Sequence, residues 1–76
     1  MITVRYFAGA RAAAGVSEES LPAGITLADI GEGRGERLRK VLSSASFLVN
    51  GLAWHDRAAP LPAGATVDVL PPFAGG

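Results

Sequence analysis

The chain has no cysteine and only one histidine. Neither a disulfide nor a histidine–cysteine metal site is expected to staple it. Net charge is missing as well: seven acidic and seven basic side chains cancel. No long-range field therefore favours nucleic acid or an anionic membrane. No apolar run approaches the roughly 20 residues that span a bilayer. Met1 runs straight into Ile2-Thr3-Val4-Arg5, a strand pattern and not a secretory signal. The expectation is a cytoplasmic chain with no membrane or nucleic-acid partner and no bound metal or cofactor.

What remains is a 76-residue chain, near the lower limit for folding around one apolar core. A hydrophobic content of 49% is enough for such a core and argues against disorder. Ile2, Val4 and Tyr6 alternate with Thr3, Arg5 and Phe7, as in a half-buried strand. Phe7 then falls on the nominally solvated side. Either it bends into the core or it belongs to a contact surface. Ala8–Ala14, closed by Gly15, predicts a short helix, and residues 16–21 a returning strand.

Thr26 is a suitable N-cap with Asp29 at the capping-box position. Leu27 and Ile30 follow at helical spacing, but Gly31, Gly33 and Gly35 interrupt it before Leu38, Val41 and Leu42 resume. Each glycine costs roughly 1 kcal/mol against alanine inside a helix. The segment should be helical in two pieces and end near Ser43 or Ser44. Arg34, Arg37, Arg39 and Lys40, interspersed with Glu32 and Glu36, read as a solvated helix face with acid–base pairs. Asn50-Gly51 is a hairpin signal between residues 47–50 and 52–55. Residues 65–70 form a last strand, with Val67 and Val69 on one face and Asp68 and Leu70 on the other. The order β-α-β-α-β-β-β predicts an α+β domain over residues 1–70, a mixed sheet with helix on one face. His55 and Asp56 are strand neighbours pointing apart, so they read as surface residues. Ser43, Ser44 and Ser46 suit a helix end.

Residues 71–76 are the most informative segment. Pro71 and Pro72 end the ladder and favour an extended path. Six residues from Pro71 reach roughly 20 Å when extended. Gly75 and Gly76 have no side chains. Such a tail suits threading into a narrow channel, through Pro71, Pro72, Phe73, Ala74 and Gly75, to present the Gly76 carboxylate to another protein. A frayed end is the plain alternative for a bare Gly-Gly.

Val4-Arg5-Tyr6-Phe7-Ala8 with Arg11 and Gly15, Phe47-Leu48-Val49-Asn50-Gly51, Pro60-Leu61-Pro62-Ala63-Gly64 and Val69-Leu70-Pro71-Pro72-Phe73-Ala74-Gly75-Gly76 together carry a resemblance. The chain resembles the MoaD branch of the MoaD/ThiS ubiquitin-like sulfur carriers. That resemblance implies a β-grasp fold and a non-catalytic carrier subunit. An ATP-dependent adenylating enzyme would activate Gly76, and a persulfide sulfur donor would convert it to a thiocarboxylate. The sulfur would pass to a pterin precursor in molybdenum cofactor biosynthesis, within a molybdopterin synthase whose larger catalytic subunit supplies the acid–base and lysine chemistry. A β-grasp sheet leaves one face open. Alternation places Phe7 and Leu70 there, with Leu52 or Trp54 as candidate neighbours, as a docking patch for those partners.

The Gly31–Gly35 interruption departs from the family's usually continuous helix. It leaves open a specialised paralogue: a sulfur carrier for thiamine, a sulfur amino acid or a secondary metabolite. Two other classes stay open. One is a protein modifier joined through Gly76, for which Lys40, the sole lysine, would be the one internal side-chain acceptor for self-chains. The other is a plain β-grasp interaction module.

Overall fold

The computed structural model describes residues 1–72. Five strands form one mixed sheet in the order β2-β1-β5-β3-β4. They are β1 (Ile2–Tyr6), β2 (Glu18–Leu21), β3 (Ser46–Val49), β4 (Leu52–Ala53) and β5 (Thr66–Leu70). β1 and β5 run parallel, Thr3 opposite Thr66 through Tyr6 opposite Val69; the other pairings are antiparallel. Among the described residues, the last strand in sequence is thus the central strand in space.

Period-two alternation decides which face is buried. Ile2, Val4 and Tyr6 of β1, Phe47 and Val49 of β3, and Val67 and Val69 of β5 join one core. Ala10, Leu27, Ile30, Leu38, Leu42 and Leu61 cover them from the helical side. Arg5, Ser46, Asp68 and Leu70 belong to the opposite, uncovered face.

The helices are α1 (Ala8–Ala14), α2 (Leu27–Ile30) and α3 (Glu36–Ser44). Gly15, at φ 82°, closes α1 in the left-handed conformation and donates its N–H to the Arg11 carbonyl. The predicted capping box opens α2: the Asp29 N–H donates to Thr26 Oγ1 (3.3 Å), and the Thr26 N–H to Asp29 Oδ2 (2.9 Å). The helical segment is in two pieces, as the three glycines predict. Gly31 reveals a second reason for the break. A Cβ there would lie 2.8 Å from Leu42 Cδ1 and 3.4 Å from Arg39 Cγ. A side chain at the end of α2 would therefore require the Leu42 side chain of α3 to shift. Gly31→Ala is expected to destabilise the domain by about 1–3 kcal/mol, as overpacking does. Urea unfolding checks this; an unchanged midpoint would show that Leu42 moves aside freely.

The basic cluster divides. Arg39 pairs loosely with Glu36 at 4.0 Å on the exposed face of α3. Arg34 lies outside the helix, in the intervening turn, which corrects its reading as part of a helix face. Its guanidinium donates to the Glu19 carboxylate and to the Ala14 carbonyl, while the Tyr6 hydroxyl donates to the same carboxylate oxygen at 2.5 Å. The turn is thereby tied to β2 and to the end of α1. Sequence spacing gives no sign of this, because the partners are 15 and 20 residues away from Arg34.

Burial opposes ionisation of Glu19, but hydrogen bonds from Arg34 and Tyr6, with the Arg34 charge, outweigh it and lower its pKa. Burial first, then the Glu19 hydrogen bond, raises that of Tyr6. A carboxylate whose pKa is lower folded than unfolded stabilises the fold above its unfolded value and loses that effect as pH falls through the folded one. The stability difference between wild type and Glu19→Gln should therefore shrink as pH drops below about 4.5, the group's ordinary value. Urea titrations across that range test it, and a difference independent of pH would contradict the assignment.

Candidate partner-binding site at the exit of the central strand

Pairing of Tyr6 with Val69 brings the next residues, Phe7 and Leu70, together where both strands end. The Phe7 N–H donates to the Val69 carbonyl at 3.2 Å, and Ser46 sits opposite Leu70 from the other side. Pro71 has no N–H with which to extend the ladder, so the chain leaves the sheet here. Ala8 has a φ of 48°, a left-handed conformation that costs a non-glycine residue roughly 1–2 kcal/mol. This sharp turn ends β1 and sends the chain toward the helical face, where Ala10 is buried. Phe7 stays behind, 40% exposed.

Phe7, Ala8, Ser46, Leu70, Pro71 and Pro72 line a cleft of about 330 Å³. None of these side chains ionises in the physiological range. The cleft offers apolar contact and one hydroxyl, not acid–base chemistry. A pair of fixed charges lies one residue pair further along the open face. Arg5 Nε donates to Asp68 Oδ1 at 2.6 Å and Nη2 to Oδ2 at 3.0 Å, a bidentate pair. The Arg5 guanidinium also lies 5.8 Å from the centroid of the Phe7 ring. The Asp68 hydrogen bond and then its charge raise the Arg5 pKa, keeping the guanidinium ionised.

The structure brings Phe7, Leu70, Pro71 and Pro72 together. It places Leu52 and Trp54 elsewhere. The hairpin at Asn50-Gly51, where both residues have positive φ, sets Val49 opposite Leu52. Directly opposed side chains share a face. Leu52 therefore projects on the helical side, 72% exposed at the sheet edge. Trp54 continues the ladder through an N–H bond to the Phe47 carbonyl at 3.0 Å, packs against the core, and donates its indole N–H to the Asp56 carbonyl. Leu48 and Ala53 take the open-face positions expected for that pair. His55 and Asp56 are exposed, and Asp56 Oδ1 accepts the Ala58 N–H. Phe73, Ala74, Gly75 and Gly76, the predicted threading and sulfur-carrying residues, lie outside the described residues.

Ala8 lines the cleft without a sequence signal, and Ser46, expected at a helix end, instead opens β3 and lines it too. Ser46 was legible only through its register against β5. Among the described residues no group of histidine, cysteine, aspartate and glutamate side chains could hold a metal ion. No helix among them is long and apolar enough to cross a membrane.

Residues 4–76 match the ThiS family. The chain belongs to the ThiS/MoaD family. Its β-grasp architecture is shared with solved structures over nearly its whole length. A protein from Pyrococcus furiosus designated a molybdopterin converting factor, subunit 1, is 30% identical, with a TM-score of 0.67 over 95% of this chain and 97% of that one. SAMP1 from Haloferax volcanii is 23% identical, with a TM-score of 0.68 over 99% and 98% of the two chains. A structure of the complex of subunits 1 and 2 of the molybdopterin-converting factor from Helicobacter pylori 26695 matches at 22% identity, with a TM-score of 0.68 over 99% and 97%. Comparison with curated protein sequences returned no match. The ThiS/MoaD chain is a ubiquitin-like sulfur carrier by type, and its cleft sits where β5 gives way to Pro71 and Pro72.

Proposed function

We propose that this ThiS/MoaD chain is the sulfur-carrying small subunit of a molybdopterin synthase, with the Gly76 carboxylate as its working group. The observation that carries the proposal is the apolar cleft at the root of the tail, in a chain 30% identical over almost its full length to a molybdopterin converting factor subunit 1. The cleft anchors the body against a partner while the tail enters that partner's active site. A carboxylate is a poor acyl donor. An adenylating enzyme therefore uses ATP to form an acyl-adenylate at Gly76, releasing pyrophosphate. The terminal sulfur of a persulfide donor then attacks the acyl carbon and displaces AMP, and a second thiol of the donor cleaves the resulting acyl disulfide, forming a disulfide itself and leaving the thiocarboxylate. Glycine permits close approach at both steps because it has no Cβ. The larger subunit of the synthase takes the sulfur to its pterin substrate. The carrier contributes the terminus and the docking surface; its cleft holds no acid or base of its own.

Intact-mass analysis tests this. After incubation with ATP, an adenylating enzyme of this family's pathway and a persulfide donor, the chain should gain the mass of one oxygen-to-sulfur exchange. Transfer of that sulfur to a pterin precursor by the larger subunit should restore the original mass. High-mass conjugates in place of the exchange would indicate a protein modifier. Thiocarboxylation without pterin conversion would indicate a carrier serving another pathway.

A further inference from the structure

Resting on the reading of the cleft as a docking surface, we propose that Arg5 is a positioning residue for docking of the adenylating enzyme: clamped by Asp68, its guanidinium holds the Phe7 ring in the orientation that enzyme meets. Phe7, one residue past the end of β1, is two along from Arg5 and shares the open face. Asp68 and Leu70 repeat that relation on β5. The four form two layers, an ion pair beneath an apolar pair. Within the ion pair, Asp68 is the sheltered member, its side chain 13% exposed against 47% for Arg5. The anchor is thus fixed in the sheet, and the planar cation is held out beside the ring. Both carboxylate oxygens are engaged, so the guanidinium plane is set as well as its position.

Phe7 needs such a hold. It is the residue beyond the end of β1, and its ring is partly exposed. An unrestrained ring would have to be immobilised by the partner at the moment of docking, and that ordering weakens association. A guanidinium stacked near the ring restrains it beforehand. Lysine cannot reproduce this: it keeps the charge but has neither the fork that grips both Asp68 oxygens nor a flat face. The Arg5 side of the pair is open to solvent, so its direct contribution to folding is small. Its effect should appear in recognition.

The test uses the full chain and the adenylating enzyme that thiocarboxylates wild type, measuring KM and kcat with the carrier as varied substrate. Arg5→Lys and Asp68→Asn should each raise KM by about three- to tenfold and leave kcat unchanged. Their urea midpoints should stay close to wild type. In a Phe7→Ala background the same substitutions should have almost no further effect on KM, since the ring they position is gone. Two results would overturn the inference alone: Phe7→Ala raises KM while Arg5→Lys does not, or Arg5→Lys raises KM equally with and without the ring. A KM indifferent to Phe7→Ala would instead remove the docking reading, and the inference with it.

Discussion

Deleting Gly76 is expected to abolish thiocarboxylate formation while leaving thermal unfolding almost unchanged. The two outcomes have separate causes. Activation needs an acyl carbon that an outside active site can enclose. Without Gly76 the terminal carbon belongs to Gly75 and stops about one residue short, roughly 3.5 Å of extended chain. Displacement on the scale of an ångström is enough to cost an enzyme on the order of a hundredfold in rate, so a whole residue should leave no measurable turnover. Stability, in contrast, resides in the core from Ile2 to Val69, none of which the deletion touches. Mass spectrometry after the activation reaction and a calorimetric scan check both halves. A large fall in Tm would mean that the terminus is part of the folded body. Persisting sulfur incorporation would mean that the chemistry is elsewhere.

Leu38→Ala should have the largest effect on folding. α3 is nine residues long, and its two buried side chains are Leu38 and Leu42, of which Leu38 is the more completely enclosed. Isolated helices this short are marginal in water, so packing must hold it in place. Truncating a buried leucine costs about 2–5 kcal/mol through lost transfer energy and the remaining cavity. A domain of this size has a total stability of roughly 4–11 kcal/mol. The substitution should therefore leave a substantial unfolded population at room temperature. A urea midpoint within experimental error of wild type would show that α3 contributes little to the core. The mutant's retained sulfur uptake per folded molecule would separate this effect from loss of chemistry.

Much of the fold was legible because its signals are local. The Ala8–Ala14 helix with its glycine stop, the Thr26–Asp29 box, the split at Gly31–Gly35, the Asn50-Gly51 hairpin and the alternation of β1 and β5 all rest on neighbouring residues. What escaped was register and long-range pairing. Leu52 and Trp54 are expected on the open face only so long as the hairpin register is ignored. A two-residue turn puts Leu52 opposite Val49, on the other side. Arg34 looked like part of a charged helix because its true partners, Glu19 and the Ala14 carbonyl, are distant in sequence. Phe7 and Leu70 were legible as an open-face pair from alternation alone. Ser46 and Ala8, which complete the cleft, depend on which strands lie side by side and on one left-handed backbone turn. The bidentate clamp of Arg5 by Asp68 likewise depends on the parallel pairing of the first and last strands.

The position of β5 has a consequence for how the domain loosens. Sheets fray from their borders, where a strand has one neighbour to lose, and here the borders are β2 and the two-residue β4. β5 is laced on both sides, to β1 and to β3. Partial opening of either border leaves the mooring of the last residues intact, so only near-global unfolding sets them adrift. The amide of Val69 should accordingly be among the slowest in the molecule to exchange with deuterated solvent, even though the terminus proposed to carry sulfur begins only a few residues beyond it.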